Sequence, residues 1–358
     1  MKPETQKSEH SIVSEAKTIA IQNGYLVLTY PLDYARTLIQ LGYEPFAPKE
    51  RPMLLLKSTY LALPNVFEYL RYIKNVDGFL GCYRGLGARI CQNVVANSVY
   101  KRVAARYPWE DERRREQQQQ YPQQYQLSST RSGAWIRGAL GDINADFVHA
   151  AKKASWEIVC VTASTVASHP FYVVAVRTMG QFVGRETSYK SVIQSIVHIY
   201  ENEGISGFFS GLIPRLIGDI LYIGISASLV YLASSYIGKQ NGLEGATAMV
   251  SNLVASSCTY QFHVIASVMA INNSGLTIGY YPYAMKYDGW YECWKDLKGK
   301  KQLKRGSAII GRYYMGQTVI INGTKRPTGF YFGPLHPPGL GTRDELINNV
   351  YLTRPKTE

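Results

Sequence analysis

The chain has few cysteines, and they form no group that a metal or redox site requires. The five lie far apart, with no C-x-x-C pair and no metal-ligand spacing: Cys82, Cys91, Cys160, Cys258 and Cys293. Three of them lie in or beside apolar segments, where a reduced cysteine packs as a small apolar residue. We therefore expect reduced packing residues and no bound metal.

The motifs of the common enzyme classes are also missing. The sequence contains no G-x-S-x-G elbow, no G-x-x-x-x-G-K-[ST] loop and no cluster of metal ligands. These absences predict a protein that is not an enzyme and needs no cofactor. The first twenty residues carry Glu4, Glu9 and Glu15 and show neither signal-peptide nor matrix-presequence character, so a mitochondrial address would have to be internal.

Acidic residues are outnumbered, and the net charge is +13. This charge fits loops that meet anionic headgroups, where each nearby Lys or Arg contributes about 1 kcal/mol. Nucleic-acid binding is the competing interpretation, but the basic residues are scattered over loops without an RNP, zinc-finger or basic-helix pattern. We expect membrane lipids as partners and no nucleic acid.

Charge is almost absent from two long segments. Ile220–Gly238 has no charged residue, and in Ala246–Asn273 only His263 titrates near neutral pH. Both reach the roughly 18 to 20 residues that span a bilayer. Three further candidates carry charges within or at their ends: Thr18–Gln40, Leu86–Val103 and Asp146–Val176. The sequence predicts an all-α, multi-pass membrane protein.

One segment occurs twice, and this repeat organises the chain. Residues 77–89 and 203–215 share the pattern acidic-Gly-x-x-Gly-x-aromatic-x-Gly-x-x-x-Arg, which indicates a duplicated unit. An apolar helix with a proline precedes each copy, at Pro31 and Pro170. A third, weaker unit starts near Leu243. The predicted segments are a polar tail (1–17), repeat 1 (18–106), a Gln-rich low-complexity loop (107–143), repeat 2 (144–238), a partial repeat 3 (239–306) and a Pro/Gly-rich tail (307–358).

The order of these parts resembles the mitochondrial carrier family. The resemblance rests on Pro31-x-Asp33-x-x-Arg36, followed by a loop and the Gly-x-x-Gly-x-aromatic-x-Gly motif, in two units and weakly in a third. It implies a ring of six tilted helices around a polar cavity. After Gly306, however, the candidate sixth helix is interrupted by Arg312 and soon followed by Lys325-Arg326-Pro327. We predict that the sixth span is missing and that the cavity opens laterally as a groove.

Polar residues at helical spacing supply a lining for such a groove. They recur at steps of three or four on each helix. The stripes are Arg89, Asn93, Asn97 and Lys101; Glu157, Ser164 and Ser168; Arg215, Asp219, Tyr222 and Ser226; and Asn252, Ser256, Tyr260, His263 and Ser267. The alternative is that these groups only hydrogen-bond between packed helices.

Local explanations compete with a functional role for several of these residues. Asp33 and Arg36 are three residues apart, and Arg215 and Asp219 are four apart, so each pair can neutralise itself within its helix. His263 is better explained as a packed polar residue than as a metal ligand, and Tyr260 as an interhelical contact about as readily as a groove residue.

The carrier family closes its cavity with an acidic and a basic residue from each of three units. Here only the first unit keeps both, as Asp33 and Arg36; the second has Tyr172 and Ala175 at these places, and the third has Gln261, His263 and Ala266 in place of its proline and charged pair. One pair cannot form a three-way network. A sealed, alternating-access transporter is therefore a weaker interpretation.

These departures resemble one branch of the family, the mitochondrial carrier homologs of the outer membrane. The runs that carry this resemblance are residues 38–45, 169–171, 177–186, 207–220 and 269–276. The resemblance implies an outer-membrane insertase for tail-anchored and other α-helical proteins, with links to lipid scrambling and to pro-apoptotic factors. By position it implies groove roles for Arg36, Asp219 and Tyr260, and for Ser267, where the family has a larger polar residue; Asp33 is unusual for the branch.

Two alternative functions stay open on the sequence alone. A non-catalytic receptor or scaffold for apoptotic or metabolic factors would bind through loops such as 107–130 and be indifferent to changes in the groove. A solute carrier would require a sixth helix and a closed cavity.

Overall fold

The helices begin and end where the sequence provides suitable residues. They are seen in a computed structural model, which describes residues 23–53, 56–106, 147–237, 244–281, 283–314, 318–321 and 324–327. The helices are α1 (23–41), α2 (Val66–Gly81), α3 (Leu86–Ala104), α4 (Phe147–Gly184), α5 (Val192–Glu203), α6 (Leu212–Ile237), α7 (Glu244–Ile271) and α8 (Trp290–Gly299).

The ends of α1 and α2 show how locally these limits are set. At the end of α1, Gly42 adopts φ +99°, and the amides of Gly42 and Tyr43 donate to the carbonyls of Ile39 and Leu38. This is the Schellman pattern, which satisfies carbonyls that have no partner inside the helix. At the start of α2, the Asn65 side chain accepts from the amide of Glu68 at 2.7 Å.

Three stretches are long and apolar enough to cross a membrane by length and composition: Ala151–Gly184, Ile205–Ala233 and Ala246–Ile271. The predicted apolar segments are helical wherever the structure describes them, except for the last two residues of Ala246–Asn273, which follow the end of α7 at Ile271. This confirms the mostly helical architecture. Helix α4 continues to Gly184, beyond the predicted limit at Val176. Helix α3 is not among the three stretches, because its 19 residues include Arg89, Lys101 and Arg102.

Besides its helices the chain contains two short hairpins, which the sequence analysis did not predict. Strands β1 (Lys49–Met53) and β2 (Leu56–Ala62) form an antiparallel hairpin in the loop of repeat 1, with Lys49 opposite Ala62. Strands β3 (Thr318–Ile321) and β4 (Thr324–Pro327) form a second hairpin, with Thr318 opposite Pro327. Their strands are only four to seven residues long, too short to give a strong periodic signal.

A left-handed glycine closes the loop motif in each of the three repeats. Gly85, Gly211 and Gly306 have φ of +85°, +79° and +76°, a region that L side chains rarely adopt. Gly306 follows helix α8 as Gly211 follows α5, so the backbone supports the third repeat that the sequence shows only weakly.

The chain forms two compact units that cut across the repeats. Unit A contains the described residues of Met1–Gly24, Cys91–Ser168 and Arg215–Phe262, and unit B contains those of Tyr25–Ile90, His169–Pro214 and His263–Glu358. Helices α3, α4, α6 and α7 contribute to both units. The predicted tail 1–17 and loop 107–143 lie outside the described residues, so the predicted segment boundaries stay predictions.

Aromatic side chains form the centre of unit B. The ring of Tyr43 contacts those of Tyr69, Phe182 and Tyr283 in edge-to-face geometry, with centroids 6.2, 6.3 and 5.8 Å away. The hydroxyl of Tyr69 donates to the Tyr43 carbonyl at 3.1 Å. All three repeats therefore pack on one buried tyrosine.

Buried charge in unit B is neutralised across the loop motif. The side chain of Arg177 is completely buried; it pairs with both carboxylate oxygens of Glu203 and donates through Nε to the Ala270 carbonyl at 2.9 Å. In repeat 1 the corresponding loop contains the half-buried pair of Asp77 and Arg84. An unpaired buried charge is strongly destabilising, so these contacts hold each loop to its helix.

Residues 307–314 follow a non-helical path in unit B, and Tyr313 pairs with Ala62 at the end of strand β2. The amide of Leu63 donates to the Arg312 carbonyl at 2.9 Å, and the amide of Tyr314 donates to the Leu61 carbonyl at 3.0 Å. The Arg312 side chain is buried, donates to the Pro64 carbonyl at 2.8 Å and forms an ion pair with buried Glu44. We call residues 307–314 with this ion pair the C-terminal latch.

The latch bears on the predicted loss of the sixth span. Residues 307–314 contain no helix, and β3 and β4 follow them. Arg312, which interrupts the candidate sixth helix in the sequence, is buried in an ion pair with Glu44 in the structure. Residues 328–358 lie outside the described part, so the missing span stays a prediction.

We expect Arg312→Leu to destabilise the protein at neutral pH by about 3–5 kcal/mol, because it leaves the buried Glu44 carboxylate without its counter-charge. Burial raises the pKa of Glu44, and Arg312 opposes that rise, so the variant raises this pKa further. The loss should therefore shrink as the pH falls and Glu44 takes up a proton. Denaturant unfolding in detergent at several pH values measures both effects.

The control for this prediction is Arg51→Leu, which removes an exposed arginine of strand β1. It should leave stability nearly unchanged at every pH. An Arg312→Leu loss that does not vary with pH would contradict an ionised Glu44 as its cause.

Gly211→Ala should be more destabilising than Gly204→Ala by about 1–3 kcal/mol, the usual cost of overpacking. Both glycines have positive φ, so the backbone strain is shared. Only at Gly211 would the new Cβ overlap the backbone of Ala266, whereas Gly204 has open space. Thermal unfolding of the two variants in detergent measures the difference, and equal losses would contradict the close approach of α7.

Candidate functional site

Polar side chains in unit A join helices that are neighbours along the chain. Between α3 and α4, the Tyr100 hydroxyl donates to Glu157 at 2.7 Å. Between α4 and α6, the Thr165 hydroxyl donates to Asp219 at 2.9 Å. Between α6 and α7, Asn252 accepts from Tyr222 at 3.1 Å and from Ser226 at 2.8 Å. Only the contact between α6 and α7 joins two of the predicted polar stripes; Glu157 and Asp219 instead bond to Tyr100 and Thr165, which lie on none of them.

Asp219 is the acidic member of this set on α6. One carboxylate oxygen accepts from Thr165, and the residue is half-buried, so it is accessible rather than sealed in packing. Its neighbours Ile220 and Leu221 are exposed and apolar. A carboxylate among such residues in a membrane-spanning helix costs energy unless it faces polar groups or water.

Glu157 adds a second carboxylate, and Tyr100 is a partner that sequence reasoning did not identify. Glu157 is only 5% exposed and lies in the longest apolar helix of the described chain. Its position on a polar stripe was visible in the sequence. No spacing pattern singled out Tyr100, because this chain has 28 tyrosines and most of them could equally be packing residues.

The stripe on α3 is also a chain of hydrogen bonds. Asn97 donates to Asn93 at 3.3 Å, and Asn93 donates to Asn23 at 3.2 Å, all within unit A. Both α3 asparagines are half-buried. Amide side chains can donate and accept, so this face of α3 can exchange its partners for water or another polar group.

Helix α7 exposes mainly apolar side chains in unit A. Met249, Val250 and Leu253 are 71%, 59% and 65% exposed, as expected for a surface against lipid tails. Asn252 is half-buried and bonds to α6, whereas half-buried Tyr260 lies on the same helical stripe as Met249 and Leu253. The outer surface of α7 is therefore mainly apolar with polar residues along it.

In unit B, a polar chain replaces the charged network that the carrier family would have. The Tyr172 hydroxyl lies 2.9 Å from the Ser267 hydroxyl, and Ser267 donates to Gln40 at 3.1 Å. The guanidinium of Arg89 lies 5.2 Å from the centre of the Tyr172 ring, a cation–π contact. Ser267 is therefore a buried connecting residue that links repeat 3 to repeats 1 and 2.

The structure does not pair Asp33 with Arg36, although the spacing allowed it. Within the described chain, Arg36 Nε donates to the carbonyl of Gly306 at 3.0 Å in unit B, and no ion pair joins it to Asp33. Asp219 likewise accepts from Thr165 and is not in an ion pair with Arg215 in the described residues. Neither pair therefore forms a direct ion pair in the described residues, and mutual neutralisation within each helix stays a prediction.

The other predicted site residues are accessible but distributed over both units. Arg215 and Tyr260 are half-buried in unit A, and His263 is half-buried in unit B, where its carbonyl accepts from Ser267 at 3.0 Å. The candidate set therefore separates into a unit A group around Asp219 and a unit B group around Tyr172. In the described residues, no cluster of three or more His, Cys, Asp or Glu side chains is arranged to hold a metal ion.

The chain belongs to the mitochondrial carrier family. The sequence profile described as "Mitochondrial carrier protein" matches residues 10–104 and 150–241, which cover most of the first two predicted repeats and extend a few residues beyond their outer limits. With the apolar helices described above, this makes the chain a membrane protein of carrier type.

The relatives that align over most of the chain come from one branch of that family. Mitochondrial carrier homolog 2 of Homo sapiens is 33% identical over 302 residues, 83% of this chain and 93% of the relative. Mitochondrial carrier homolog 1 of Mus musculus is 30% identical over 326 residues, 85% of this chain and 78% of the relative.

Other members of the family align over a shorter part of the chain. Mitochondrial substrate carrier family protein W of Dictyostelium discoideum is 32% identical over 114 residues, 32% of this chain and 33% of the relative.

Tyr172→Phe and Ser267→Ala should show a coupling energy of about 0.5–1.5 kcal/mol in a double-mutant cycle, the usual range for hydrogen bonds between membrane helices. Tyr172→Phe keeps the ring that Arg89 contacts and removes only the hydroxyl. Unfolding of the wild type, both single variants and the double variant gives the coupling. Additive losses would contradict the polar chain.

Proposed function

We propose that this protein is an insertase of the mitochondrial outer membrane for tail-anchored and other α-helical proteins. The client would pass along a polar, laterally open groove lined by the side chains of unit A. The observation that carries the proposal is the set of half-buried polar groups around Asp219, on helices long and apolar enough to cross a membrane.

The physical argument starts from the barrier that a client meets. A charged residue near the centre of a bilayer costs roughly 2.5 to 3.5 kcal/mol on insertion scales, and a tail-anchored client brings a polar tail with it. Side chains such as Asp219, Asn93 and Asn252 offer donors and acceptors that substitute for water along that path. The apolar segment of the client then moves into lipid without any covalent chemistry.

The surface of α7 supports a lateral opening. Its exposed face of Met249, Val250, Leu253 and Val254 suits lipid contact, while Asn252 on the same turns faces polar partners on α6. A client helix leaving the polar side therefore needs to travel only around one helix to reach hydrocarbon. The same polar path would also admit phospholipid headgroups, so lipid scrambling is proposed as a second use of it.

The replacement of the charged network supports insertion over solute transport. A carrier of the ordinary kind needs three charged pairs to close its cavity, and here Tyr172, Ser267 and Gln40 are hydrogen-bonded neutral residues. Arg36 is engaged by a backbone carbonyl. We propose Arg36 as a second determinant of the electrostatic character of the path, subordinate to Asp219.

Asp219→Asn should slow insertion of a tail-anchored client about fivefold, the effect of roughly 1 kcal/mol on a barrier. The asparagine keeps the shape and still accepts from Thr165, so only the charge is lost. The measurement is insertion of a radiolabelled client into proteoliposomes with this protein alone, scored by protease protection against empty liposomes. Asp219→Arg should reduce insertion further.

Two controls separate charge from packing. Thr165→Val removes the hydrogen bond but keeps the carboxylate, so insertion should be largely preserved. Asp288→Asn makes the same chemical change at an exposed position of unit B and should have no effect. Insertion equal to that of empty liposomes with correctly folded wild-type protein would overturn the proposed function.

A further inference from the structure

A cavity of about 200 Å³ lies beside the C-terminal latch, within unit B. Its walls come from Ile39 at the end of α1, Glu44 in the loop after it and Leu63 after β2, and from residues 301–302, 304–308 and 311–314. The volume far exceeds the roughly 10 to 15 Å³ that admits one water molecule. The cavity is separate from the polar groups of unit A, and its use does not depend on the proposed insertase function.

The charges of this cavity are strongly asymmetric. Four basic residues line it, Lys301, Lys304, Arg305 and Arg312, against a single acidic residue, Glu44. Arg305 is held in place, with Nε donating to the Gln40 carbonyl at 2.6 Å and Nη1 donating to Gln302 at 3.2 Å. Such a set of cations favours an anion with several acceptor oxygens.

The two lysines lie at the exposed edge of the cavity. In the part of the chain that the structure describes, no ion pair involves Lys301 or Lys304. Lys301 also adopts φ +55°, a left-handed conformation that is uncommon for any residue but glycine, asparagine or aspartate. The loop thus contributes two exposed lysines and Arg305 to the wall of one cavity.

Glu44 provides the opposite chemistry at the bottom of the cavity. It is 4% exposed; one carboxylate oxygen pairs with Arg312, and the other, Oε2, is buried without a hydrogen-bond partner among the described residues. A buried acceptor without a donor carries a desolvation penalty. A small shift of the Glu44 side chain would open Oε2 to the cavity, and a ligand that donates N–H groups there would relieve the penalty.

We propose that this cavity binds a phosphoethanolamine group, a phosphate ester with a primary ammonium two carbons away. The phosphate oxygens accept from Lys301, Lys304 and Arg305 at the outer end, and the ammonium donates to Glu44 Oε2 at the inner end. Phosphocholine fits this arrangement poorly, because its trimethylammonium has no N–H to donate. Inorganic phosphate lacks the cation altogether.

The group has two possible sources, a phosphatidylethanolamine headgroup of the membrane or a soluble phosphoethanolamine ester. The full-length protein in phosphatidylcholine nanodiscs is titrated with phosphoethanolamine, phosphocholine and inorganic phosphate by calorimetry. A second arm repeats the titration in nanodiscs containing phosphatidylethanolamine. Loss of free phosphoethanolamine binding in the second arm indicates the lipid as source, and unchanged binding indicates the soluble ester.

We expect phosphoethanolamine to bind at least about tenfold more tightly than phosphocholine, since a hydrogen bond to a charged group is worth that much. Lys304→Ala should weaken phosphoethanolamine binding severalfold, whereas Lys298→Ala, an exposed lysine that does not line the cavity, should not. Glu44→Gln should abolish the preference over phosphocholine. Because Glu44→Gln also disturbs the latch, its folding is checked first, and Lys304→Ala carries the test alone if that variant unfolds.

Three results would overturn the proposal. Equal affinity for phosphoethanolamine and phosphocholine would remove the role of Glu44. Binding that Lys304→Ala leaves unchanged would assign the ligand to another surface. No saturable binding in phosphatidylcholine nanodiscs, together with no enrichment of phosphatidylethanolamine on the purified protein by native mass spectrometry, would exclude both sources.

Discussion

Neutralisation of buried charge is the constraint on which unit B depends. Arg177 and Glu44 are both buried, and each is stable there only because a partner reaches it from a distant part of the chain, Glu203 in one case and Arg312 in the other. The first pair fixes the loop of repeat 2 against α4. The second fixes the chain after repeat 3 against the loop of repeat 1, and with it the course of the latch and the wall of the basic cavity.

The parts of the fold that depend on local sequence were predictable. The membrane helices follow from long apolar segments, and the repeat follows from glycines whose left-handed conformation no other residue adopts cheaply, as at Gly85 and Gly211. The limit of α4 was missed because the apolar segment stops at Arg177, whereas the helix continues through polar residues to Gly184. The hairpins were missed because short strands such as β3 and β4 owe their pairing to neighbours.

The candidate site was predictable as a set of faces but not as a set of partners. The four-residue steps placed Asn93, Asp219 and Asn252 on polar stripes, yet no spacing rule selects Thr165 or Tyr222 as the group that meets them. Spacing also does not identify the partner of Arg36. Its Nε donates to the carbonyl of Gly306, which is 270 residues away along the chain.

Hydrogen bonds also decide what residues 307–314 can do. Their backbone groups bond to Leu61, Leu63 and Val66, so the same groups cannot also form the i to i−4 bonds of a helix. Forming a sixth helix directly after Gly306, as an ordinary carrier requires, would break these bonds and leave Glu44 buried without Arg312. The ion pair and the backbone hydrogen bonds therefore favour the same non-helical path of residues 307–314, while the loss of a sixth span stays a prediction.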